Sequence, residues 1–290
     1  MASIPASFRK LDSISFDEWL HWQNPFGSAV PTFDLTGIEL VTPCAVVQLA
    51  AACFALARAG RTPHIVVDDV NVCTYLMRAG FIQVVEPIAL FVPDVSSIAH
   101  VYDGLRGASP VLIEITPIES GHQLSDLLDR IVTALRDRLL YPKNDAFDIA
   151  MAVSEICQNT LDHNAQPCGF LAMQAYSGRS NRFLEIGVAD YGDGLTASLQ
   201  RNPKNSATLS DQQAIELATE LGISEYDDIT RGTGLYHLLE IAYKHGGSVQ
   251  IRSGAAKIRY RMDHRRGWGF AVPLMPGVQI ALTLSAKSIA

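Results

Sequence analysis

At 290 residues and 31.6 kDa the chain can hold one large domain or two of ordinary size, and two is the expectation. Hydrophobic residues at 48% against charged residues at 18% supply enough apolar material for a full core, which excludes a disordered chain. A formal charge of -7 excludes a general polyanion binder, because phosphate backbones demand a basic face. The five cysteines, Cys44, Cys53, Cys73, Cys157 and Cys168, show no C-x-x-C pair and no Cys/His spacing for zinc, and they read as reduced thiols. Residues 1–33 mix Arg9, Lys10, Asp12 and Asp17 with apolar side chains, so no signal-peptide core is present. No apolar run is long enough to cross a bilayer, and the expected location is the cytoplasm.

In chain order, an extended segment at 33–35 leads to an apolar helical stretch over 43–59, closed by Gly60, and then to a short buried strand at 64–68. A second helix is predicted over 70–79 and a further strand over 81–85, an alternation that suggests a small α/β layer structure. Between Val95 and Pro110 the regular pattern loosens around Ser96, Ser97, Gly104, Gly107 and Ser109, which marks a boundary. A strand at 111–115, an amphipathic helix over 124–140 stopped by Pro142, and a long helix from about 145 to His163 follow. Strands at 170–176 and 183–188 flank a polar turn with hairpin chemistry. A polar stretch at 200–210, a short helix over 211–220 and a glycine loop then precede a helix over 235–244. Strands at 249–252, 257–262 and 278–284 complete a sheet.

Three short motifs carry the chemistry. Glu155, Asn159 and His163 are four residues apart on the long helix, so a carboxylate, an amide and an imidazole share one face that suits no apolar core. Asp190-x-Gly192-x-Gly194 directly follows a strand. Such a carboxylate can accept from an adenine amino group while the glycines permit a tight turn. Gly232-Thr233-Gly234-Leu235 opens a helix, whose free backbone N–H groups suit a triphosphate.

In this order the motifs resemble the N, G1 and G2 boxes of the GHKL ATPases, the superfamily of gyrase B, the Hsp90 chaperones, MutL and the histidine kinases. The details are most similar to the anti-sigma-factor serine kinases, in which a strand and a helix also precede the N-box helix. The resemblance implies an α+β protein: a Bergerat α/β sandwich over 109–290, its mixed sheet covered by helices on one face. It also implies ATP and Mg2+ as ligands. Asn159 would coordinate magnesium and Asp190 would hold adenine with Gly192 and Gly194. Arg231, Gly232, Thr233, Gly234 and Leu235 would form the phosphate loop, and Glu155 would orient or deprotonate the attacking nucleophile. Lys204 and Arg201 fall in the stretch that matches the family's ATP lid. Two features depart from the histidine kinases: Thr230 stands where a further glycine is common, and no upstream dimerisation helix presenting a phosphoacceptor histidine is read.

The segment Tyr75-Leu-Met-Arg78-Ala-Gly80-Phe81 is similar to STAS domains, the fold of anti-sigma-factor antagonists, which places a smaller STAS-like α/β domain over 1–108. Thr36 stands nearest to that family's phosphorylatable serine, although a turn threonine beside Gly37 is the commoner case. The resemblance implies a protein partner engaged through this domain, leaves room for a homodimer, and implies neither nucleic acid nor membrane. Two functions follow: an ATPase or protein serine/threonine kinase with a regulatory role, or a nucleotide-sensing module without turnover. DNA remodelling is not expected, since no transducer domain is read after the third box. All three boxes lie within 109–290, so that segment is expected to fold and bind Mg-ATP alone.

Overall fold

The computed structural model describes residues 8–95, 112–137, 139–162, 168–177, 182–201, 208–220, 234–261 and 264–285. It is a mixed α+β structure with several sheets. Near the N-terminus, β1 (Lys10–Leu11) pairs in parallel with β3 (Leu40–Val41), and α1 (Phe16–Gln23) buries Phe16, Trp19 and Leu20 at helical spacing. The strands β2 (Thr32–Asp34), β4 (His64–Val66) and β5 (Leu90–Val92) form a parallel sheet in that order. Parallel neighbours need crossovers, supplied by α2 (Pro43–Arg58) and by the pair α3 (Val70–Arg78) and α4 (Phe81–Val85). Proline opens α2 where its missing N–H is harmless, and the Asp69 carboxylate caps α3 by accepting from the Asn71 and Val72 amides.

The strand expected over 81–85 is instead this short helix α4. Its β-branched residues favour a strand, but burial of Phe81, Ile82 and Val85 at helical spacing within the core overrides the local preference.

The second sheet consists of β6 (Leu112–Ile118), β7 (Gly169–Ser177), β8 (Arg182–Asp190), β9 (Ser248–Arg261) and β10 (His264–Ser285), ordered β6-β7-β8-β10-β9. Between them run α5 (Gly121–Asp137), α6 (Lys143–Asp162), α7 (Gly194–Gln200), α8 (Asp211–Ala218) and α9 (Gly234–Lys244). Every pairing in this sheet is antiparallel, where a mixed sheet was expected. The reason is local: β6 and β7 are joined by two packed helices rather than one, so β7 returns against β6, while β7/β8 and β9/β10 follow each other directly.

The helices that follow β6 pack on one face of this sheet, as expected, and the N-terminal layer covers the other. Leu184, Ile186 and Val188 of β8 face a core shared with α5, α6 and α9. The alternate positions Phe170, Ala172 and Ala189 face a second core built mainly from residues before 96. Thirteen of the sixteen residues of α2 are buried, as expected only of a helix lying between two layers. It crosses β7, β8 and β10, so close to β8 that a Cβ on Gly187 would stand 2.8 Å from Cys44 Cα. Thr42 Oγ1 donates to Glu185 Oε1 at 2.7 Å within this layer, and Tyr75 Oη to Gln174 Oε1 at 3.0 Å. Burial raises the pKa of Glu185. The boundary expected between Val95 and Pro110 lies almost wholly outside the described residues. No helix among the described residues is long and apolar enough to cross a membrane.

Candidate functional site

The outer stripe of α6 carries Met151, Glu155 and Asn159 one turn apart, with Asn159 exposed and Glu155 half-buried. Facing it is the first turn of α9. A Cβ built on Gly234 would lie 3.1 Å from Glu155 Cβ, 3.4 Å from Glu155 Oε2 and 3.5 Å from Asn159 Nδ2. The absent side chain therefore lets the α9 backbone rest on the very two side chains that the first motif singles out. Leu235, the next residue, is buried in the core that α9 shares with α6. One turn further along α9, His237 places Nδ1 3.2 Å from Glu155 Oε2 and 3.3 Å from Oε1.

Asp190 ends β8 and is 6% exposed. Its Oδ1 accepts from the Gly192 amide at 2.8 Å, which closes the turn. Gly194 takes φ +82, a left-handed conformation that a side chain would strain, and the chain then enters α7. The Leu195 amide donates to Ser253 Oγ at 2.9 Å, and Gly277 packs so tightly on the Asp190 carbonyl that a Cβ there would collide with it. Burial pushes the Asp190 carboxyl up to about 6, against the lowering effect of the backbone hydrogen bonds from Gly192 and Val278.

The two halves meet through Thr160 and Gly169. A Cβ on Gly169 would stand 2.6 Å from Thr160 Oγ1, so α6 rests on β7 there, and Gly169 is the direct cross-strand partner of Asp190. Asp190 shares the alternation of Leu184, Ile186 and Val188, and so lies on the face of the sheet that α6 and α9 cover. Thr160 of α6 thus packs on the strand residue directly opposite Asp190.

Arg231, Gly232 and Thr233, with His163 and Lys204, lie outside the described residues. Arg201 forms an exposed ion pair with Asp193. Thr36 sits in a turn in which Asp34 Oδ1 accepts its amide at 2.9 Å, the ordinary role of that residue type. Sequence reasoning missed His237, Ser253, Gln279 and Gly277. Only His237 left a signal, since three residues past Gly234 it shares a helix face with it.

Among the described residues no cluster of three His, Cys, Asp or Glu side chains could hold a metal ion. A divalent cation at this site would depend on oxygen ligands brought by an anionic molecule, with the Asn159 amide as a protein contribution. Searches against protein-family models and curated proteins gave no match.

Proposed function

We propose that the chain is a regulatory protein of the GHKL class that binds Mg-ATP between α6, α9 and the Asp190 turn, and acts as an ATPase or protein serine/threonine kinase. The observation that carries this reading is the packing of the Gly234 backbone on Glu155 and Asn159, on the sheet face that Asp190 shares. Residues of the first and third motifs meet there. Asp190 would accept from the adenine amino group, the Asn159 amide oxygen would complete magnesium coordination, and the first amides of α9 would attract phosphate. The Bergerat reading of the boxes assigns Arg231, Gly232 and Thr233 to the same phosphate loop. Glu155 would orient or deprotonate the nucleophile, and His237 of α9 lies with Nδ1 3.2 Å from that carboxylate.

Calorimetry of the full chain tests the binding. ATP is expected to bind in magnesium and to weaken when the metal is chelated, and equal affinity for GTP and ATP would remove the adenine role of Asp190. Turnover is tested on Glu155→Ala, which is expected to abolish phosphate release or protein labelling while nucleotide affinity stays within a few-fold, because a general base acts on the nucleophile rather than on ground-state binding. Tight binding by the parent with neither released phosphate nor labelled protein leaves the nucleotide-sensing reading in its place.

A further inference from the structure

Beneath the Asp190 turn runs a buried polar chain that begins on the N-terminal helix. Asp17 of α1 is 6% exposed. Its Oδ1 accepts from Arg252 Nε at 2.7 Å, and its Oδ2 from Lys257 Nζ. Lys257 Nζ also donates to the Ser13 carbonyl at 2.8 Å, and Gln250 Nε2 to Ser13 Oγ at 2.7 Å. Arg252, 1% exposed, sends Nη1 to Gln279 Oε1 at 3.1 Å and Nη2 to the Pro273 carbonyl. Gln279 Nε2 in turn donates to the carbonyls of Asp190 at 3.0 Å and Pro276 at 2.8 Å. The neighbour of Arg252 is Ser253, whose hydroxyl receives the Leu195 amide at the start of α7.

If the task were only to attach α1 to the sheet, apolar contacts would serve as well, since desolvating two charges offsets most of their attraction. An ion pair adds direction. The planar guanidinium, held at Nε by the carboxylate and at Nη1 and Nη2 by the carbonyls of Gly254, Met275 and Pro273, donates to the Gln279 amide oxygen, which leaves the amide nitrogen for the Asp190 carbonyl. We infer that Asp17 is a positioning residue for the candidate nucleotide site, acting through Arg252 and Gln279 on the backbone of Asp190 and through Ser253 on the entry to α7. The N-terminal unit thereby sets the geometry of a turn to which it contributes no ligand of its own. The consequence for ligand affinity rests on the nucleotide reading above, whereas the relay is a property of the ligand-free protein.

Hydrogen exchange on the ligand-free full chain decides the relay. In Asp17→Asn the Gly192 and Leu195 amides are expected to exchange at least about 10-fold faster while Ile149 and Leu238 in the helical core stay within about 2-fold, because local opening and global unfolding have separate signatures. Uniform acceleration at all four sites, or none at Gly192 and Leu195, overturns the positioning role. Should Asp17→Asn fail to fold, Gln279→Glu takes its place: it keeps an acceptor for Arg252 but cannot donate to Asp190, and parental exchange at Gly192 and Leu195 would overturn the relay. A double-mutant cycle on ATP affinity then tests the shared route. Each single change is expected to weaken binding by about 10-fold and the pair by about 10-fold as well, whereas independent effects would multiply toward about 100-fold. If the parent binds no ATP, the nucleotide reading fails, and the exchange data still decide the relay.

Discussion

Under the proposed nucleotide reading, Asp190 sets stability against binding. With the folded carboxyl at about 6 and an ordinary value of 3.8, the native state keeps a proton through a window in which the unfolded chain has released it. The unfolded state binds fewer protons there, so stability falls as pH rises from about 4 through 6, and at pH 7 the buried carboxylate costs about 1–3 kcal/mol. Asp190→Asn preserves an acceptor for the Gly192 amide and removes the charge. Urea melts of the ligand-free variant are expected to show it more stable than the parent by about 1–3 kcal/mol at pH 7, a gain that disappears near pH 4. The same change should weaken ATP by about 1.5–3 kcal/mol, the loss of a charge-assisted hydrogen bond. An equal stability gain at both pH values would show that the carboxylate is not the source.

Among the elements, α2 is buried on nearly all sides and packs closely on the antiparallel sheet. Its closest approach is at Gly187, where a Cβ would meet Cys44 Cα and Val47 Cγ2 at 2.8 Å. Backbone cannot yield as a flexible side chain does, so Gly187→Ala is expected to cost about 1–3 kcal/mol in urea unfolding through displacement of α2. Full stability in that variant would mean that the layer is loosely packed. At this scale the sequence is legible wherever one periodicity dominates. The ranges of α2, α3, α6 and α9, and the β7/β8 hairpin, follow from apolar spacing and turn residues, and the i, i+4 placement of Glu155 and Asn159 is visible without coordinates. The errors have physical causes. In α4, burial overrides the preference of β-branched residues. β10 was expected only from 278, because Pro273, Pro276 and Gly277 argue against a strand interior, yet register shifts at 271–275 and 275–278 absorb them as bulges. Gln279 and Arg252 could not be read as parts of the site, since their roles arise from partners more than 20 residues away.

For the whole molecule, the expectation that 109–290 folds and binds alone meets the two-faced burial of its sheet. Residues before 96 cover Ile115, Phe170, Ala172, Ala189 and Met275, and Asp17 supplies the carboxylate between Arg252 and Lys257. Removing residues 1–108 would bare an apolar sheet face alongside two cations that have lost their shared carboxylate, conditions that favour loose packing or association over a unique fold. The isolated segment 109–290 is therefore expected to bind an apolar dye, to lack a sharp near-ultraviolet circular dichroism signal and to melt without cooperativity. Co-expression with a separate 1–108 fragment should restore both order and solubility, because the two share one core rather than a small polar interface. A monomeric 109–290 that melts cooperatively and binds Mg-ATP with parental affinity would show that the N-terminal layer is dispensable. The same result would remove Asp17 from the geometry of the site.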